Sequence, residues 1–437
     1  MLRTIHITLL MICALLSNAQ QNPMVAAAQT KSILLKNATA HLGNGQVIQN
    51  SMVGFREGVI DLVADATTIR MAPGRYELEI DAYGMHVYPG FIATNSTLGL
   101  LEIDMVRASN DMSETGTFKP SMRTAPAYNT DSEIIPTVRS NGILTAQITP
   151  RGGTIAGSSS VMQLDAWNWE DALIVEDEGM HMQWPGVIHR HGERGKVDVT
   201  KVKTYDQQIR EIELFFNEAK AYCDAKPLLT DIRFEAMCDV FAGKRTLYIR
   251  AEDATSIREA VQFLDRMHIK TAVIVGGYES YLVADLLVQR NIPVLLRRLH
   301  EYPMYVDEDV DLPYKLPQML HQAGVRFALQ NEGDMERMGT RNLPFYAGTA
   351  VAYGLPYEQA VRSITLEPAI ILGVDSMLGS IEIGKRATLF ISKGDALDMR
   401  TNQVTHAFID GRQIDLSSKQ TELYERYRTK YEIQEKK

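Results

Sequence analysis

The run Thr246-Leu247-Tyr248-Ile249-Arg250-Ala251, followed after a polar break by Ile257, Val261, Leu264 and Met267, sets the architecture. The first six residues read as a strand. The four apolar positions recur at helical spacing, on a helix starting near Ser256, where Ser256 and Glu259 stand as a capping box. Working outward, residues 271–275 form the next strand and residues 279–289 its helix. Residues 292–296 and 325–329 supply two further strands, and a preceding helix carries Ile209, Ile212, Phe216 and Ala219 on one face. Strands alternating with helices predict an α/β fold with a parallel sheet. Periodicity fits a closed barrel and a doubly wound open sheet equally well.

Both flanks change rhythm. Residues 31–88 hold short strand-like runs such as Ile33-Leu34-Leu35 and Met52-Val53-Gly54-Phe55, broken by the turn Gly43-Asn44-Gly45. Residues 379–415 read the same way, with Ala387-Thr388-Leu389-Phe390-Ile391, and His406-Ala407-Phe408-Ile409 ahead of the turn Asp410-Gly411. The two β-rich ends are expected to pair into one small domain. Residues 416–437 are expected to form a charged C-terminal helix.

The first residues bear on compartment. Arg3 precedes an apolar run from Ile5 to Leu16, and Ser17-Asn18-Ala19 offers small residues for cleavage. Residues 1–19 read as a secretory signal peptide, too short to span a bilayer, so export to a periplasm is expected. The remainder exceeds one ordinary core and suits a barrel of about 250 residues or more with a smaller domain. Net charge is −9 with both signs interspersed. No basic patch argues for nucleic acid, and no basic amphipathic helix for a membrane surface. After the signal segment only Cys223 and Cys238 remain, either as a disulfide in an oxidising compartment or as two buried thiols.

Val87-Tyr88-Pro89-Gly90-Phe91-Ile92 resembles the opening of barrel strand one in the amidohydrolase superfamily. The run Ile364-Thr365-Leu366-Glu367-Pro368-Ala369, through Leu372-Gly373 to Gly379-Ser380-Ile381-Glu382-Ile383-Gly384-Lys385, resembles that superfamily's last barrel helix and its return into the β domain. Residues 342–355, with Thr149-Pro150-Arg151-Gly152-Gly153 and Gly157-Ser158-Ser159-Ser160, are similar to the imidazolonepropionase-like branch. The resemblance implies a (β/α)8 TIM barrel over residues 89–378 and a composite β-sandwich domain from residues 31–88 and 379–415. It also implies hydrolysis of C–N bonds in cyclic amides, related amides and some dipeptides. Zinc or another divalent metal would activate water there, held at the C-terminal ends of the strands.

The positions that resemblance assigns to metal ligands hold other residues. Asn95 and Thr97 stand where strand one should carry His-x-His, and Arg250 where strand five should carry His. Gly276 ends strand six without a side chain to offer. Glu332, after Gln330-Asn331, is the surviving carboxylate near strand eight. A register slip does not restore the set, because no His occurs between His86 and His181 or between His191 and His268. No metal ligand is therefore assigned and no cofactor is expected. Asn95, Thr97 and Glu332 equally suit plain strand-end polar contacts, whereas an Arg250–Glu332 pair would supply the missing positive charge.

His189-Arg190-His191 is a His-x-His, with Met180-His181-Met182 shortly before it, in a segment that reads as a loop; two alternate His there read as solvated side chains ahead of the metal site such spacing also allows. Arg151, Ser158 and Ser159 are candidate substrate-binding residues on loops. Two functions stay open. One is a catalytically degenerate barrel that binds a small-molecule ligand, self-associates or partners an active relative; the other is an active hydrolase using Glu332 as base.

Overall fold

The computed structural model describes residues 25–193, 196–225 and 228–431. The signal segment, residues 1–19, lies outside the described residues. Strands β1 (Ile33–His41), β2 (Val47–Arg56) and β3 (Val59–Asp65) form an antiparallel meander, with β4 (Leu78–Asp81) and β5 (His86–Pro89) parallel to β1.

Pro89-Gly90 then turns the chain into a second sheet. Its strands are β6 (Phe91–Ser96), β7 (Ile143–Ile148), β8 (Ile155–Gln163) and β9 (Leu173–Gln183). A two-stranded hairpin, β10 (Ile188–Glu193) with β11 (Lys196–Lys201), stands aside. The second sheet continues in β12 (Thr246–Ala251), β13 (Ala272–Gly276), β14 (Val294–Leu296) and β15 (Phe327–Leu329), in that spatial order. The chain returns to the first sheet as β16 (Leu389–Ser392), β17 (Val404–Ile409) and β18 (Arg412–Gln413), with β16 antiparallel to β5.

The expected barrel and composite β domain are therefore both present. β6 and β7 are buried along their whole length, as strands covered on both faces must be. The composite domain closes over Leu35, Val53, Phe55, Val87, Leu389 and Phe408, drawn from both ends of the chain. The sheet bends round until its first and last strands meet a two-residue seam. Leu329 donates its N–H to the Ser363 carbonyl (3.1 Å), and Ile92 donates to the Ile364 carbonyl (2.9 Å).

Four details differ from the sequence reading. β8 runs antiparallel to both neighbours, so one (β/α) unit is replaced by a β7–β8 hairpin. Its turn uses Gly152 (φ 77°) and Gly153 (φ 73°), conformations glycine adopts without steric cost. The helix after β12, Ala254–Met267, is capped by Asp253, which accepts the Ser256 N–H at 2.8 Å, rather than by a Ser256–Glu259 box. Residues 188–193, read as a loop, pair as a strand with residues 196–201; the His189 and His191 side chains lie outside the described residues. The terminal helix spans Lys419–Lys430.

Cys223 and Cys238 form a disulfide between helices Tyr205–Ala225 and Ile232–Phe241. Among the described residues no helix is long and apolar enough to cross a membrane.

Candidate functional site

The C-terminal ends of the parallel strands gather one polar cluster. β6 delivers Asn95 in a left-handed conformation (φ 53°), a region in which Asn is enriched among non-glycine residues. All its polar groups are engaged. Its backbone N–H donates to Gln147 Oε1 (2.8 Å) and its Nδ2 to Gln330 Oε1 (2.6 Å). Arg151 grips it end-on, Nη1 donating to Oδ1 at 2.9 Å and Nη2 to the carbonyl at 2.7 Å. Thr97 donates both its hydroxyl (2.6 Å) and its N–H (2.9 Å) to Glu336 Oε2. Both residues are struts that fix the end of β6.

β12 and β15 bring Arg250 and Glu332 into an ion pair. Gln330 Nε2 donates to the other Glu332 oxygen at 3.0 Å. Burial, reinforced by the nearby Arg151 charge, pushes the Arg250 guanidinium down to about 10, so it is still a cation at neutral pH. Gly276 ends β13 with φ 93°, and the space a Cβ would need there is filled by the Glu252 carboxylate. Burial raises that carboxyl above its ordinary range, against the opposing charges of Arg297 and Arg250.

These residues do not fit a divalent metal. The amide and hydroxyl at Asn95 and Thr97 are spent on protein partners, a permanent cation stands at Arg250, and Glu332 is already neutralised. Among the described residues no group of three or more His, Cys, Asp or Glu is placed to share a metal ion.

A pocket opens over this cluster, leaving about 300 Å³ between Arg151, Arg250, His181, Tyr248, Met182 and Val275. Of the proposed positions, Asn95, Arg151 and Arg250 line it; Thr97, Gly276 and Glu332 do not. Ser158 and Ser159 are buried strand residues of β8, not loop residues, and neither lines the pocket. Ser158 meets Arg245 (3.5 Å), whereas Ser159 contacts the pocket-lining His181 and belongs to the pocket floor.

That floor is a buried network of residues that motif reading passed over. Ser159 Oγ donates to Glu178 Oε1 (2.5 Å) and lies 2.8 Å from His181 Nε2. Glu178 also accepts from Gln147 Nε2 (2.6 Å) and the Tyr248 hydroxyl (3.0 Å). Burial pushes the Glu178 carboxyl up to about 7, although all three donors favour its charged form. His181, stacked on Tyr248 at 4.5 Å, is held well below the usual imidazole range by burial and by Arg151 and Arg250. It is a neutral buried ring. The one signal available in the sequence was alternation: Tyr248 and Arg250 share one parity on β12.

No curated protein sequence matches the chain. The Amidohydrolase family model matches residues 313–414. Among solved structures, an amidohydrolase from Thermotoga maritima MSB8 superposes with a TM-score of 0.75 at 24% identity, over 88% of this chain and 99% of that one. A molinate hydrolase superposes with a TM-score of 0.53 at 14% identity, covering 90% of this chain and 96% of that one. An adenosine deaminase from Xanthomonas campestris, solved with bound zinc, gives 0.53 at 14% identity, covering 92% and 98%. The sequence match over residues 313–414 and the fold match over most of the chain converge: this is a barrel with the amidohydrolase fold, and its return segment carries the amidohydrolase sequence pattern.

Proposed function

We propose that this chain is an exported, metal-free barrel of the imidazolonepropionase-like branch that binds a small molecule rather than hydrolysing a C–N bond. The observation that carries the reading is the Arg250–Glu332 ion pair, standing where two metal ligands would converge. A fixed cation there neutralises Glu332 and repels a divalent ion. Metal-dependent members of the fold gain both water activation and carbonyl polarisation from their ion. Here Asn95, Thr97 and Gly276 offer no donor set that would hold one. Using Glu332 as a general base is less well supported, because Arg250 and Gln330 already occupy its oxygens and it does not line the pocket. The Cys223–Cys238 disulfide supports an oxidising destination.

The test is elemental analysis of the purified mature protein after incubation with zinc, cobalt or manganese. We expect well under one equivalent in each case. One tightly held equivalent, lost on Glu332→Ala, would overturn the reading.

A further inference from the structure

The geometry points to a small organic monocarboxylate with an apolar body as the ligand of this pocket, its carboxylate held by Arg151; the inference rests on the metal-free ligand-binding reading above. Arg151 projects five N–H donors in a planar fork. Its end-on pair is committed to Asn95, and Nη1 also donates weakly to the Pro150 carbonyl at 3.4 Å. The side-on edge, formed by Nε–H and the second Nη2 hydrogen, meets no acceptor among the described residues. No carboxylate among the described residues lies within ion-pair distance of this guanidinium. A side-on guanidinium edge matches the two oxygens of a carboxylate in spacing and plane.

Charge selects the class further. Arg250 is already balanced by Glu332, His181 is neutral, and the buried Glu336 acts on Arg151 only from beyond ion-pair distance, so among the described lining residues Arg151 is the cation without a contacting carboxylate. A single negative charge matches it. The walls beyond the guanidinium include Ala156, Met182, Val275 and the Tyr248 ring beside the Glu332-paired Arg250 and the neutral His181, and this apolar share favours an apolar body over a second charged group.

Calorimetric titration of the mature protein at low salt and neutral pH tests this, using benzoate and N-acetylphenylalanine as probes. Benzamide, N-acetylphenylalanine amide and benzylamine serve as uncharged and cationic counterparts. We expect saturable binding of at least one carboxylate, its amide at least ten-fold weaker, and no binding of benzylamine. Arg151→Met should weaken the carboxylate at least ten-fold. Arg151 also props Asn95, so a second variant guards against misfolding: Gln183→Glu adds a carboxylate at an exposed lining position and should weaken binding several-fold with an unchanged melting curve. Carboxylates binding no better than their amides, or binding unaffected by Gln183→Glu in folded protein, would overturn the inference. Amide or amine binding without carboxylate binding would sink it while leaving the ligand-binding reading intact. Stoichiometric metal in the elemental analysis would remove that reading itself.

Discussion

Residues 364–385 and residues 92–97 touch, since Ile92 and Ile364 share a backbone hydrogen bond, yet they have fared differently. The return segment lies within the match to the amidohydrolase family, while the end of β6 keeps the strand and none of the ligands the resemblance assigns to it. The return segment answers to packing and backbone geometry. Gly379 sits at φ 86° with its Cα side pressed on Ala369 and on the Thr365 carbonyl, and it receives Gly43 from the first sheet. Those demands persist whatever the barrel does. The end of β6 answers to chemistry, and once the ligands change, any residues that satisfy each other's hydrogen bonds will serve.

The comparison can be broken most severely at Gly379. A Cβ there would lie 2.6 Å from Ala369 Cβ and 2.9 Å from the Thr365 carbonyl, in a left-handed conformation. We expect Gly379→Val to cost about 4 kcal/mol or more, or to abolish soluble folded protein in expression trials. A mild effect would mean that the return segment is not held by backbone geometry.

The next largest effect belongs to the new site. Arg250→Met leaves Glu332 partly buried, its side chain 13% exposed, without its cation. The expected loss in chemical denaturation is about 3 kcal/mol, most of it recovered in the double variant Arg250→Met/Glu332→Gln. Equal losses in the single and double variants would show that the pair is not a coupled replacement.

The smallest effect sharpens the picture beneath the pocket. Glu178 titrates near 7 when folded, against an ordinary value of 4.5, so the folded state holds its proton more tightly than the unfolded state. Stability from this group is therefore greatest below about 4.5, declines as pH rises to about 7, and is level above. Glu178→Gln keeps the hydrogen-bond shape and removes the titration. Its melting point should match the parent near pH 4.5 and exceed it at pH 8, by roughly 1–3 kcal/mol of stability. A constant difference across that range would rule out a proton-linked floor.

Much of the scaffold was legible. The helical face of Ile257, Val261, Leu264 and Met267 is buried as its spacing required, and β12 occupies residues 246–251 as read. The reversal of β8 was not legible, because Ile155–Gln163 is buried from Ile155 through Met162 and a buried strand carries no pattern that reveals its direction. The site was legible only as vacancies. Arg250 and Glu332 could be paired in advance because both sit at strand ends, but Glu178, Ser159 and His181 meet through a ladder between strands that periodicity does not align. Glu252 filling the space beside Gly276 depends on a backbone angle that no side-chain pattern encodes.

The seam at residues 363 and 364 governs when the molecule can finish folding. β6 is among the first parts of the barrel to be synthesised, and its partner at the seam comes more than half the chain later. Contacts of such separation form slowly, since a long loop must be closed before any of them is gained. Until then β6 and β15 carry unpaired edges, and the first sheet also lacks β16 to β18. A chain emerging N-terminus first thus spends most of its synthesis as an open sheet that can pair with its neighbours. The yield of native protein should consequently fall with chain concentration during refolding, and a truncation before residue 363 should aggregate rather than survive as a smaller barrel.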